Sequence, residues 1–432
     1  MKLTPAGYQA RLIDPVIDRH LKQFGAVVIE GPKWCGKTWS GLNHAAAAVS
    51  LTDPAGRFAI RELAQTDPAA IVQPQVVSAG QGRPLLIDEW QEAPVLWDAV
   101  RHAVDQTGAK GQFILTGSAS PPVGQTSHSG AGRMARLRLR TCSLFESGNS
   151  NGSCSLSGLL AGEPPVGAVP NLTIGRIIDL ATDGGWPAML ATEEPISDLP
   201  SQYLQALATS DVPHVSGGRR DPGKVRALLR SLARNNATTV TQSTLMADIE
   251  QANQDPAMAR ATLARYMDTL RRVFVLEEVP AWSPALRSRT RLRGAPKLYL
   301  TDPSLAVAAL RASRQGLLRD LQTLGLIFEG MCLRDLSIYT MVAGAELFHY
   351  RDNSGLEVDA VIEGDDGAWG AVEIKLGAHQ EDVAAASLLR LKGKMAAGEV
   401  PPPAFLAVMT GTGATHVRPD GVICAPISAW RP

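Results

Sequence analysis

The sequence predicts an α/β fold built in two blocks, and three observations predict it. Residues 1–145 alternate short apolar strands (AVVIE, AVSLTD, PLLIDEW, QFILTGS) with helical stretches, the pattern of a mainly parallel sheet covered by helices. A glycine-containing turn, GPKWCGKT at residues 31–38, joins the first strand to a helix. After an apolar helix at 317–340 comes a second α/β run: ELFHYRD, EVDAVIE, WGAVEIKL, a helix near 380–397 and AFLAVMT.

The turn carries the first chemistry. GPKWCGKT fits G-x-x-x-x-G-K-[ST], the phosphate-loop pattern. Gly31 and Gly36 let the backbone curl, so that N–H groups of Pro32's successors Lys33, Trp34 and Cys35 face a phosphate. Lys37 reaches the outer phosphates and the Thr38 hydroxyl joins the shell of a Mg²⁺ ion. The helix that follows adds the positive end of its dipole. These features predict a nucleoside triphosphate site.

The next strand, PLLIDEW, ends in two carboxylates. Its carboxyl end is where open parallel sheets bind ligands. Asp88 is expected to hold Mg²⁺ and Glu89 to act as general base. The strand QFILTGSAS ends in Thr116 and Ser118, either of which can bond the attacking water or the γ-phosphate. Then Arg136, Arg138 and Arg140 alternate with Leu137 and Leu139, a half-buried strand with a basic face. Arg133, in the turn before it, is placed to serve the ATP of a neighbouring subunit in a homo-oligomer.

Bulk properties narrow the class. A chain of 432 residues exceeds one ordinary domain. Its 42 basic and 42 acidic residues balance, so any nucleic-acid face must be local. The five cysteines are scattered without a C-x-x-C pair, which argues against a disulfide frame or zinc knuckle. No apolar run reaches the ~20 residues that span a bilayer, and the amino terminus has no apolar signal core. A soluble, cytoplasmic protein without membrane association is expected.

GPKWCGKTW, LIDEW, ILTGS and GRMARLRLRTCSLFE together resemble the AAA-type ATP-binding proteins of bacteria and archaea that carry a C-terminal domain of unknown function. The resemblance continues through GGWP (184–187), the helix from Tyr203 to Asp211, RYMDTLRRVFVLEEVPAW and KLYLTD (297–302). It implies an AAA-like ATPase domain at 1–145, with ATP and Mg²⁺ as cofactors, and a helical lid at 171–220. Between them, residues 146–170 are rich in Ser, Gly and Pro and read as an exposed linker or long loop.

Residues 221–302 hold three helical patterns and two short strands, a winged helix-turn-helix arrangement. Arg260 and Arg265 on the third helix, with Arg287, Arg289, Arg291 and Arg293 in the inter-strand loop, are candidate DNA-phosphate contacts. A protein–protein spacer has the same pattern.

In residues 303–432, strict alternation puts Val358, Ala360 and Ile362 on one face of a strand and Glu357, Asp359 and Val361 on the other. Glu373 and Lys375 are two apart on the next strand, so both leave the same face. Glu329 lies on the preceding helix. This order is similar to the PD-(D/E)XK nuclease fold. The resemblance implies Asp359 and Glu373 as metal ligands, Lys375 as charge stabiliser and Glu329 as an auxiliary ligand. The function expected is an ATP-hydrolysing protein that couples ATP to DNA binding and Mg²⁺-dependent cleavage. The alternative is an ATP-dependent regulatory or assembly switch whose C-terminal domain binds DNA or a protein partner without cutting.

Overall fold

The computed structural model describes residues 2–54, 57–77, 84–120, 129–168, 172–192, 196, 198–216, 221–253, 259–284 and 294–432. The chain forms two compact units. The first comprises Met1–Thr141, Asp211–Gly218 and Asp268–Val275. Arg287, Arg289, Arg291 and Arg293 lie outside the described residues.

The first unit is a five-stranded parallel sheet in the order β2-β3-β4-β1-β5, with β1 Ala26–Glu30, β2 Ala47–Ser50, β3 Leu85–Asp88, β4 Phe113–Gly117 and β5 Met134–Arg138. Strands β1, β3 and β4 are buried along their whole length, as their uninterrupted aliphatic runs require of a sheet covered on both faces. Val28, Ile87, Phe113 and Leu115 pack with Trp90 and Trp97, whose rings lie 4.9 Å apart. Strand β4 separates β1 from β3. Its register aligns Thr116 with Asp88 on one side and with Ile29 on the other. The carboxyl ends of three strands therefore finish level with the start of the 31–38 turn.

The second unit comprises Cys142–Ser210, Arg219–Met267 and Leu276–Pro432. It holds the helices Pro222–Arg234 and Gln242–Asn253 and the Arg260–Met267 part of the helix Arg260–Arg272, then an antiparallel pair, β7 Leu276–Val279 and β8 Lys297–Leu300. A mixed sheet follows, ordered β13-β14-β12-β11-β10-β9, with β9 Ala345–Arg351, β10 Glu357–Gly364, β11 Trp369–Lys375, β12 Phe405–Thr410, β13 His416–Val417 and β14 Ile423–Pro426. The apolar helix expected at 317–340 is two helices, Arg314–Arg319 and Leu321–Ala343. Asp320 makes the break: its carboxylate accepts from the Thr323 N–H and caps the longer helix.

Two expectations need correction. The stretch read as an exposed linker is partly folded. Strand β6, Cys154–Ser155, pairs in parallel with β15, Trp430–Arg431, and Cys154, Leu156 and Leu159 are buried. Its serines act as local ties: Ser150 donates to the Trp430 carbonyl at 2.6 Å and Ser155 to that of Pro432 at 2.8 Å. Strict alternation also fails in β10. A bulge lies between Val358 and Val361, and both valines enter the same core, although alternation assigns them opposite faces.

The GGWP and KLYLTD blocks meet in one buried polar network. Asp302 accepts from the Gly185 N–H at 2.9 Å and pairs with Arg334 at 3.3 Å; Arg334 also pairs with Asp335 at 2.7 Å. Gly185 has to be glycine, because a Cβ there would sit 2.1 Å from the Cys142 carbonyl oxygen. Among the described residues no helix is long and apolar enough to cross a membrane.

Candidate functional sites

The 31–38 turn leaves β1 and enters the helix Lys37–His44. Gly36 sits at the helix entrance with φ +98°, a conformation glycine adopts without strain. Gly31 passes so close to the next segment that a Cβ would lie 2.1 Å from the Leu139 carbonyl. Lys37 is buried, and its Nζ donates to the Pro32 carbonyl at 2.8 Å, across the mouth of the loop. Lys33 points elsewhere, pairing with Asp211 at 2.6 Å, and Trp34 is exposed. Cys35 is buried against the Leu139 carbonyl.

Thr38 and Asp88 meet at one point. The Thr38 hydroxyl donates to Asp88 Oδ1 at 2.8 Å, and the Thr116 hydroxyl donates to the same oxygen at 2.5 Å. Burial pushes the Asp88 carboxyl up from its ordinary value, and the two hydroxyls only partly offset this. A hard-oxygen pair of hydroxyl and carboxylate, beside a buried ammonium, fits a small divalent cation next to a phosphate. Thr116 is thus occupied in holding Asp88 and in accepting from the Glu89 N–H at 3.3 Å, rather than facing an open space.

Glu89 has φ +57°, an uncommon backbone state for glutamate. Its carboxylate is held on two sides, by the Ser118 hydroxyl at 2.8 Å and by the Gln91 amide. Strain and two donors at one residue fit a positioned base. Gln91 escapes motif reasoning, as does Arg11. The Arg11 guanidinium is buried and donates to the Cys35 carbonyl at 2.8 Å and the Arg140 carbonyl at 2.9 Å, pinning the turn from outside. No sequence signal marks it.

Arg133 is not brought to this site. It precedes β5 at the amino-terminal edge of the sheet and pairs with Asp105 at 2.6 Å. Arg136 pairs with Glu30 at 2.8 Å and lies over the Trp97 ring, and Arg138 lies over Phe274.

The second unit holds a separate cluster. Antiparallel pairing of β10 with β11 brings Asp359 beside Glu373 and Lys375. Lys375 Nζ lies 2.8 Å from Glu373 Oε2 and 3.3 Å from Asp359 Oδ2. The Ile374 N–H also donates to Asp359 Oδ2, at 2.9 Å. The bulge in β10 frees Asp359 from regular pairing at this point. Glu329, on the helix Leu321–Ala343, reaches the same cluster but through a residue the motif does not contain. Lys297 of β8 lies 2.7 Å from Glu329 Oε1 and 3.0 Å from Asp359 Oδ1.

Burial opposes ionisation of Asp359, but the ammoniums of Lys297 and Lys375 outweigh it and hold its carboxyl well below the usual range. Burial and the nearby Asp359 push Glu373 and Glu329 the other way, above the ordinary glutamate value. Environments that split neighbouring carboxylates in this way mark sites able to bind cations or transfer protons. Asp359 and Glu373 offer oxygen ligands on the side of Lys375, which is about a quarter exposed.

Arg260 and Arg265 lie exposed on the helix Arg260–Arg272. Arg272, at its end, is bound to the Ser120 carbonyl.

Comparison with known proteins gives three matches along the chain. Residues 23–147 match the model of an AAA domain, 175–316 a domain of unknown function (DUF8612) and 324–430 another (DUF4143). Uncharacterized proteins of Mycobacterium tuberculosis and Mycobacterium bovis are each 25% identical over 348 residues, 80% of this chain and 69% of theirs. Among solved structures, a Walker-type ATPase of Pyrococcus abyssi aligns at 12% identity and TM-score 0.42, covering 71% of this chain and 97% of its own. The chain thus carries a match to an AAA domain in its first third and a match to DUF4143 in its last quarter, and in this it is similar to AAA-type ATP-binding proteins with a C-terminal domain of unknown function.

Proposed function

We propose that this protein binds and hydrolyses ATP at residues 31–38 and uses it to control DNA binding and Mg²⁺-dependent DNA cleavage by its C-terminal domain. For the first activity, the supporting geometry is the convergence of Thr38 and Thr116 on Asp88 beside Lys37. The loop N–H groups and Lys37 bind the outer phosphates. Thr38 and Asp88 hold the ion, which supplies charge neutralisation when bound. Glu89, oriented by Ser118 and Gln91, takes the proton of the attacking water.

For cleavage, the observation that carries the reading is the meeting of Asp359, Glu373 and Lys375 from adjacent strands. The element order, helix Leu321–Ala343, then β9, β10 and β11, then helix Glu381–Ala397 and β12, supports a PD-(D/E)XK-like domain. In this reading Asp359 and Glu373 hold one divalent ion and Lys375 faces the scissile phosphate. The three helices and the β7–β8 pair act as a winged helix, with Arg260 and Arg265 contacting DNA phosphates. Assembly into a homo-oligomer would allow Arg133 to act on a neighbour.

The test is Mg²⁺-dependent cleavage of plasmid or oligonucleotide DNA by wild type and Asp359→Ala. Loss of cleavage in the variant supports the assignment, and equal cleavage sinks it. One observation favours a second reading, a regulatory or assembly switch that binds without cutting: both oxygens of Asp359 already accept from lysine ammoniums. Its signature is nucleotide-dependent DNA retention or oligomer state with no cleavage by wild type.

A further inference from the structure

Lys297 is unusual in its setting. Its side chain is 2% exposed, and its Nζ lies 2.7 Å from Glu329, 3.0 Å from Asp359 and 3.6 Å from Glu357. It comes from β8, outside the mixed sheet that carries Asp359. A buried ammonium cannot reach a substrate phosphate, so it is not a catalytic residue for a bound strand. Its position is nevertheless one that matters chemically. It bridges a carboxylate from the helix and one from the bulged strand, as a divalent ion with oxygen ligands would. Such an ion sits about 2.1 Å from its oxygens. An ammonium 2.7–3.0 Å from the same two atoms fills that place and supplies the charge. Lys375 differs: its side chain is 26% exposed and free to yield its contacts with Asp359 and Glu373 to an incoming ion.

We propose that Lys297 is the resident cation of this cluster. It holds the Glu329–Asp359 side permanently and excludes a divalent ion from it, so any ion enters on the Asp359–Glu373 side alone. The inference rests on the reading of this cluster as a cation-dependent site. It also reassigns Glu329, from auxiliary metal ligand to counter-charge for Lys297. The cluster is then a one-ion site by construction: the second positive charge is covalently attached to the chain.

The test counts ions rather than products. The full chain carrying Asp88→Asn, which removes a ligand of the first unit's own site, is titrated with Mn²⁺ without nucleotide. Bound ion is read from loss of the free Mn²⁺ electron paramagnetic resonance signal. Lys297→Met in this background is predicted to bind one ion more than its parent, and the added Glu329→Gln to remove that extra ion. Mn²⁺ should also raise the melting temperature of the Lys297→Met chain more than that of its parent. If Lys297→Met folds only with Mn²⁺, that rescue supports the proposal. Equal ion counts in parent and Lys297→Met overturn it, as does a Glu329-dependent ion in the parent. So does a Lys297→Met chain that stays unfolded with Mn²⁺ while Lys297→Met/Glu329→Gln folds. The parent's Glu373-dependent ion is a separate readout: its absence contradicts metal-dependent cleavage and leaves the Lys297 result standing.

Discussion

The hydroxyl of Thr38 donates to Oδ1 of Asp88 at 2.8 Å, linking the phosphate turn to a strand two positions away in the sheet. In the proposed ATP hydrolysis these two side chains would hold the Mg²⁺ ion. Asp88→Asn keeps the shape and removes the charge. It should lower Mg²⁺-dependent hydrolysis on the order of a hundredfold, measured as phosphate release at saturating ATP. Unchanged release would remove Asp88 from the site. Lys37→Ala should instead abolish tight ATP binding, read with a fluorescent ATP analogue.

Glu89→Gln should retain ATP and stop its hydrolysis. Ser118→Ala should lower kcat several-fold with little change in KM, because the Ser118 hydroxyl donates to the Glu89 carboxylate and so orients the proposed base. Normal turnover in Glu89→Gln would show that another group takes the proton.

Arg334 is buried between Asp302 and Asp335. Arg334→Ala leaves two buried carboxylates without their cation and should destabilise the second unit by about 3–5 kcal/mol. Thermal melting followed by circular dichroism checks this. A shift of under a degree would mean that the network is dispensable.

The first unit should lose stability in acid through Asp14. Burial pushes this carboxyl up, but hydrogen bonds from His44, the Arg11 N–H and Tyr8 outweigh it and hold it below its ordinary value. A lowered carboxyl contributes stability that is present above the unfolded value, near pH 4, and is lost as pH falls through the folded one. Tyr8 also reaches Ser40 on the helix that follows the phosphate turn, so acid should loosen that helix. Asp14→Asn should flatten the dependence of melting temperature on pH below about pH 4. An equally steep profile in the variant would exclude Asp14 as a source.

Much of the fold and of both sites is legible in the chain. The phosphate turn and the Asp88–Glu89 strand end show because their spacing is set by local backbone geometry. The pairing of Asp359 with Glu373 shows because two short strands and a tight turn determine it. What does not show depends on long-range contact. Lys297 precedes Asp359 by three helices and a strand, and nothing in KLYLTD marks its amine as buried. Arg11 reaches the Arg140 carbonyl across most of the first unit's sequence. The β10 bulge is hidden because Val-Asp-Ala-Val-Ile satisfies simple alternation as written. The serines of 146–160 mimic a linker in composition, yet two of them bind the last strand of the chain.

The central claim is that ATP at Lys37 governs cleavage at Asp359. It is tested most directly by Mg²⁺-dependent nicking of supercoiled plasmid with ATP, with a non-hydrolysable analogue and without nucleotide, in wild type and Lys37→Ala. The predicted result is a wild-type rate that changes between nucleotide states and a Lys37→Ala rate that does not, with no nicking by Asp359→Ala in any state. Wild-type nicking that is equal in all three states, or that persists in Asp359→Ala, would contradict it.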